Sequence, residues 1–350
     1  MESNARCRDD IHLSIASLLA LSKSILRFVA VLAGLTAFLF SIEASAASGS
    51  SEATLTLGDK ALATKQYGVA YEAYTSLASH NGLAQFGLGL IERNGWGRPA
   101  NPVKACTWFE QAAHNKVPAA QQFLGDCYAQ GIDRPADGDA AVQWYMKAAD
   151  SGVFYALCDA GELYLSGQIV AKDAQRGLAL CVRAAQLGST PAMRRVGDAY
   201  RDGTSLPQDL AAARYWYGQA AERHDVEAQY RLGVMLSQGD GGDVNLPQAL
   251  SWLELAASQG YAPAYLPVAV LYANSAVDPK TGVLPPEVLA KIYMWNSAAQ
   301  ATNHNPEERA TMARIQQLTL SVMPAQWRPD LDRRVKNYLA QHSGSYPSNR

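Results

Sequence analysis

Ala120-Gln-Gln-Phe-Leu-Gly-Asp-Cys-Tyr-Ala-Gln-Gly131, followed after Asp137 by Ala141-Val-Gln-Trp-Tyr-Met-Lys-Ala-Ala-Asp-Ser-Gly152, is the stretch that decides the fold. Ala120, Leu124 and Tyr128 stand at i, i+4 and i+8, one face of a helix. Gly125 falls inside that helix, where glycine costs up to about 1 kcal/mol. A close approach by a second helix, which a side chain would block, is the expected compensation. Gly131 is placed to end the helix in the left-handed conformation, and Asp137 is of the type that caps the next one. Ala141, Trp144, Tyr145, Ala148 and Ala149 then mark one face of a second helix.

The same pattern recurs along the chain with a step of 36 residues. Ala84, Ala120, Ala156, Ala192, Ala228 and Ala264 form one column. Gly89, Gly125, Gly161, Gly197 and Gly233 form a second, and Gly95, Gly131, Gly167, Gly203 and Gly239 a third. Trp108, Trp144, Leu180, Trp216 and Trp252 run beside Phe109, Tyr145, Cys181, Tyr217 and Leu253. Asn101, Asp137, Asp173, Asp209 and Asn245 make a polar column, and a double alanine such as Ala148-Ala149 closes each unit. A 36-residue hairpin cannot bury both faces alone, so stacking on neighbouring units must supply the missing partner. A Trp at one fixed helical position per unit reads as core.

This pattern resembles the Sel-1-like repeat, a relative of the tetratricopeptide repeat. The resemblance covers six units over residues 83–301 and implies an all-α, right-handed α-α superhelical solenoid. Residues 53–82 resemble a degenerate N-terminal repeat or cap. The sixth unit departs from the pattern, since Ala269 and Ser275 replace its two glycines and its loop, Val277 to Pro286, holds three prolines. Asn305-Pro306-Glu307-Glu308 opens a helix with a cap, a first-turn proline and acids. With a second helix from near Pro324, it makes residues 302–342 a C-terminal cap, and residues 343–350 a polar tail.

The first fifty residues differ. Phe28 to Phe40 is a run of 13 small and apolar residues, preceded by Lys23 and Arg27 and followed by Ala44-Ser45-Ala46. That is the form of a secretory signal peptide over residues 1–46; the run is shorter than the roughly 20 residues a spanning helix needs, though an uncleaved anchor is the alternative. A periplasmic or secreted chain follows. Four of the five cysteines lie beyond the signal, compatible with two disulfides. Cys106 and Cys127 are symmetric about the turn near Lys116 and Val117, and Cys158 and Cys181 nearly so about Ile169 and Val170. These are the expected pairs; the alternative is four buried thiols.

Formal net charge is −2, with 18% charged residues, so no basic field exists to hold nucleic acid or an anionic membrane. The six histidines show no metal-ligand spacing, and His80, His114 and His224 fall at the ends of second helices, where a cation suits the dipole. No CxxC, G-x-S-x-G or G-x-x-x-x-G-K motif is present. Neither a metal nor a cofactor is expected, nor catalysis. A monomer that binds a protein partner remains, its groove lined by the first helix of each unit. Mapping by the alanine column places Phe86, Leu90, Arg93, Gln122, Asp126, Cys158, Glu162, Arg194, Asp198, Arg201, Tyr230 and Val234 there. Arg194, Asp198 and Arg201 would form a strip for an acidic or C-terminal group. The loop residue Trp96 is a further candidate. For any one of these residues the competing reading is an ordinary solvated face. Two other functions fit the resemblance: a structural part of an envelope polysaccharide export machine, and a β-lactam-binding or hydrolysing enzyme. The second is disfavoured because the regular cysteine pair in each unit is missing.

Overall fold

The computed structural model describes residues 41–203, 206–274 and 284–342, with side chains from residue 51 onward. Among the described residues there are sixteen α-helices and no strand. Residues 1–40 of the signal-peptide reading over 1–46, the tail 343–350 and most of the sixth-unit loop lie outside the described residues. Two compact units are distinguished, one ending at Gln208 and the other beginning at Asp209.

The first unit holds nine helices: α1 (Ser41–Ala63), α2 (Tyr67–Leu77), α3 (Gly82–Asn94), α4 (Pro102–His114), α5 (Pro118–Gln130), α6 (Gly138–Asp150), α7 (Ala156–Ser166), α8 (Ala174–Gln186) and α9 (Thr190–Asp202). Within this unit each helix from α1 to α8 packs on the next. The second unit holds α10 (Leu210–Ala221), α11 (Val226–Gln238), α12 (Leu246–Ser258), α13 (Tyr265–Ala273), α14 (Pro286–Thr302), α15 (Pro306–Val322) and α16 (Arg328–His342). Here α14 packs against both α15 and α16. The last helix begins four residues after Pro324, because a 3₁₀ turn, Ala325–Trp327, precedes it.

The recurring columns act as expected at the helix ends. Asn101, Asp137, Asp173, Asp209 and Asn245 each accept a backbone N–H three residues on, at 2.9 to 3.1 Å. Gly95, Gly131, Gly167, Gly203 and Gly239 close the first helices at φ between 63° and 80°. Asn305 caps α15 through Glu307 N at 3.0 Å.

The helical glycines make room for a side chain of the partner helix. A Cβ on Gly125 would fall 2.5 Å from the Tyr145 ring, and one on Gly233 2.5 Å from Leu253 Cγ. Gly89 faces Phe109 in the same way, and Tyr74 lies between Gly58 and Gly87. The Gly58–Tyr74 contact gives the α1–α2 hairpin the packing of the later repeats. The α7–α8 hairpin differs. Gly161 and Gly177 face each other so closely that a Cβ on either would sit 2.5 to 2.6 Å from the other's carbonyl oxygen. With Cys181 in the aromatic column, the space is filled by a bond to Cys158, S–S 2.04 Å and Cα–Cα 4.0 Å. The other disulfide joins Cys106 of α4 to Cys127 of α5, S–S 1.99 Å. All four cysteines are buried.

The Trp column corrects the reading of it as core. Phe109, Tyr145, Tyr217 and Leu253 are buried, whereas Trp108, Trp144, Trp216 and Trp252 are half-buried. One residue along a helix is a turn of about 100°, enough to move the indoles to the edge of the packed face. Trp144 there meets His114 edge-on at 5.5 Å and carries Lys147 over its ring at 3.9 Å.

Glycines in two settings should respond oppositely to an added methyl. Gly125→Ala should lower stability by about 1–3 kcal/mol, because crowding of the Tyr145 ring outweighs the gain in helix propensity. Gly218→Ala in α10, where nothing lies within 4 Å, should raise it by about 0.5–1 kcal/mol. Urea unfolding of the two variants checks both signs.

Candidate functional site

In the first unit α3, α5, α7 and α9 are the first helices of successive repeats, and their side chains meet one another. Phe86 of α3 lies 5.7 Å from Phe123 of α5, and the Arg93 guanidinium sits over Phe123 at 4.6 Å. Gln122 donates to Asp159 Oδ2 of α7 at 2.6 Å. Arg195 of α9 pairs with Glu162 of α7 and lies over the Tyr155 ring at 5.2 Å. One continuous row of aromatic, cationic and acidic groups thus crosses four repeats.

Asp126 is the most constrained member. Tyr145, seated on Gly125, donates its hydroxyl to Asp126 Oδ1 at 2.8 Å. The same device occurs at the N-terminal hairpin, where Tyr74 donates to Asp59 Oδ1 at 2.8 Å and burial raises the Asp59 carboxyl above its ordinary range. Where the ring has no hydroxyl, the residue after the glycine is apolar: Leu90 opposite Phe109, and Val234 opposite Leu253. Burial pushes the Asp126 carboxyl up to about 6, against the Tyr145 hydrogen bond and the charges of Arg93 and Arg195.

The sequence-derived residues divide. Phe86, Arg93, Gln122, Asp126 and Glu162 lie in this row. Leu90 and Cys158 are buried and leave it. Arg194 is corrected as well: it is 7% exposed and already engaged, so it belongs to the framework and not to an open strip. Arg201 is half-buried and holds its neighbour Asp202 through Nε at 2.8 Å and Nη2 at 2.7 Å, leaving the proposed Arg194–Asp198–Arg201 strip without its two free cations. Tyr230 belongs to the second unit, its ring 5.3 Å from Tyr261, with Val234 half-buried on the same helix. Trp96 stacks on Tyr67 at 5.8 Å and packs into the first unit.

The mapping missed Phe123 and Arg195, which lie in their own 36-residue column, one position after Gln122 and Arg194; Asp159 of the same column is buried and acts as framework, as Arg194 does. The period was the signal available; which of two adjacent columns faces outward depends on the rotation of the helix against its neighbours.

A second polar cluster surrounds Arg134, which pairs with Glu110 Oε2 at 2.9 Å and Asp133 Oδ2 at 2.6 Å and donates to Tyr128 at 2.8 Å. Arg134 holds the Asp133 carboxyl below its ordinary range. These contacts tie the α5–α6 loop to α4.

The raised Asp126 carboxyl makes stability depend on pH. A carboxyl that holds its proton more tightly when folded contributes stability that is full below about pH 4 and lost as pH rises through about 6. Relative to Asp126→Asn, which keeps an acceptor for Tyr145, the parent protein should lose up to about 3 kcal/mol between pH 4 and 7.5. Urea titrations of both across that range check it, and a pH-independent difference would show an ordinary carboxylate.

Comparison with known proteins agrees with this architecture. The model of the Sel1 repeat matches residues 82–116, 118–153, 154–189, 190–225 and 226–261. Residues beyond 261 form the further helix pair α13 and α14, outside those matches. A protective antigen of uropathogenic Escherichia coli displaying an SLR fold is similar in structure, with TM-score 0.59 and 22% identity over 86% of this chain; this chain spans 63% of that one's length. A Sel1 repeat protein from Oxalobacter formigenes aligns with TM-score 0.55 and 26% identity, over 70% of this chain and 98% of its own. A comparison with curated proteins finds no match. With five consecutive matched repeats covering half its length, the chain belongs to the Sel1 repeat family.

Proposed function

We propose that this protein is an exported scaffold that holds a partner polypeptide along the first-helix row of residues 86–195. Sel1 repeats are generally protein-interaction scaffolds and not catalytic domains. The observation that carries the reading is the row itself. Arg93, Phe123, Asp126, Glu162 and Arg195 are held by contacts between repeats before any partner arrives. Such pre-ordering lowers the entropy lost on binding. Mixed charge with aromatic groups suits a specific polypeptide better than a polyanion. Recognition is stoichiometric, by one monomer.

Export is supported by two buried disulfides, which persist in oxidising compartments. Among the described residues no helix is long and apolar enough to cross a membrane. The hydrophobic run ahead of Ala44-Ser45-Ala46 supplies the export signal, with cleavage near Ala46.

Intact mass and non-reducing peptide mapping of protein from an envelope fraction should give a chain beginning near Ala47 with both cysteine pairs linked. Full-length chain in the membrane pellet would favour an anchor. Affinity capture from envelope extract, run at pH 7.5 and at pH 5.5, should return one stoichiometric protein. Arg93→Ala combined with Glu162→Ala should reduce that capture at least about tenfold with the helical spectrum retained, as expected for central contacts. Lys147→Ala, on the second-helix side, should leave it unchanged. Capture of polysaccharide secretion components instead would support a place in an export machine.

A further inference from the structure

The α7–α8 hairpin is joined differently from its neighbours. The second helices of the other matched repeats each bury a large side chain: Phe109 in α4, Tyr145 in α6, Tyr217 in α10 and Leu253 in α12. The buried residues of α8 are Gly177, Cys181, Ala184 and Ala185, none larger than the cysteine. Gly161 and Gly177 lie inside the two helices, and a glycine there costs up to about 1 kcal/mol. Gln121 is tied to Ser151, and Gln229 to Gln259, by side-chain hydrogen bonds. Leu157 and Leu187 occupy those columns here and can make no such bond. A seam of small residues and the Cys158–Cys181 bond hold α8, with Leu178, Leu180 and Val182 half-buried beside them.

The Cys106–Cys127 bond is placed otherwise. It joins α4 to α5, where the Phe109 ring also stacks on Phe123 at 4.8 Å, so aromatic packing holds the same pair of helices. Next along the chain, α9 packs on α8, and Arg195 of α9 reaches Glu162 of α7. The step of the first-helix row from α7 to α9 therefore depends on α8 being in place.

We propose that the Cys158–Cys181 bond is an oxidation-dependent latch: it seats α8 on α7, and the first-helix row extends from α7 to α9 only once it has formed. The consequence for binding rests on the scaffold reading. Closure is a thiol–disulfide exchange with a disulfide-bearing oxidoreductase. One cysteine thiolate attacks the donor disulfide, forms a mixed disulfide and releases one donor thiolate. The other cysteine thiolate then attacks its partner cysteine's sulfur, and the second donor thiolate leaves. Two electrons pass to the donor, which ends as a dithiol carrying the two protons, and the cysteines end as one S–S bond. In a reducing compartment both stay as thiols, α8 is loosely held and the row stops at α7. The chain thus completes its partner surface only after export. Both cysteines are buried in the closed hairpin, which shields the bond from further exchange.

Hydrogen exchange of the full mature chain reads the latch without a partner. Cys158→Ala with Cys181→Ala should speed exchange over residues 174–202 at least about tenfold and leave residues 82–130 at parent rates. The parent chain refolded with its cysteines kept reduced should match that variant over residues 174–202. Cys106→Ala with Cys127→Ala should leave residues 174–202 at parent rates. Parent-like protection of residues 174–202 without the Cys158–Cys181 bond overturns the latch, as does equal loss there when either bond is removed. Loss over residues 82–130 in the Cys158 and Cys181 double variant also overturns it, because the bond would then be a staple of the whole fold. Capture of the partner from envelope extract is a separate readout. The Cys158 and Cys181 double variant should capture at least about tenfold less than the Cys106 and Cys127 double variant. Undiminished capture with residues 174–202 unprotected would leave the latch standing and remove the α7–α9 step from the partner's site.

Discussion

A side chain from one helix seated on a glycine of its hairpin partner is the contact on which the rest of this structure depends. Tyr74 on Gly58, Phe109 on Gly89, Tyr145 on Gly125 and Leu253 on Gly233 bring each helix pair close enough for the small alanines around them to be buried. A hairpin closed in this way still has two outward apolar faces, and only the next hairpin can cover them. The repeat length follows from that requirement: every unit must return its glycine and its ring to the same phase. The third repeat shows the constraint by departing from it. With Cys181 for the ring and Gly177 for the alanine, its backbones move together and a disulfide occupies the place of the aromatic contact.

The same contact explains where a functional surface can arise. A tyrosine ring on the glycine carries its hydroxyl to the next residue of the first helix, and an acid there becomes its acceptor. Asp126 is held in this way, within a row that already contains Arg93 and Arg195. Partial burial raises that carboxyl above its ordinary range, so its ionisation opposes folding as pH rises. Phe109 opposite Leu90 and Leu253 opposite Val234 show that an apolar pair satisfies the packing equally well. The acid is therefore not demanded by the hairpin; Asp59 beneath Tyr74 and Asp126 beneath Tyr145 are two instances in which the hydroxyl is given an acceptor.

Polar staples within and between repeats follow a similar rule. Gln85 meets Asn115 at 2.8 Å, Gln121 meets Ser151 at 3.2 Å, and Gln229 meets Gln259 at 2.8 Å, each pair joining one repeat to the end of its own second helix. Gln85 and Gln229 also donate to the backbone of the preceding repeat, at Ala78 and Ala221. These bonds satisfy amides that are almost wholly buried, and they set the register of each repeat on the one before it. They lie one helical position from the row that carries Asp126, so the framework and the candidate surface share the same helices.

Much of the molecule was legible from residue order. Capping residues at Asp137 and its equivalents, left-handed glycines at Gly131 and its equivalents, the hairpin length and the two cysteine pairs all follow from local chemistry and a 36-residue period. Such features depend on residues close in the chain or related by the repeat, so a one-dimensional pattern contains them. Rotation of each helix about its own axis is different. It decided that Tyr145 is core while Trp144 sits at the edge, that Arg194 is enclosed while Arg195 reaches across to α7 and α5, and that Cys158 leaves the groove. Neighbouring columns repeat with equal fidelity, and a turn of about 100° between them is settled only by packing against other helices. The sequence by itself determined the repeat, its elements and its family; the tertiary structure alone decided which charged side chains share one surface, because those meetings join residues of different repeats.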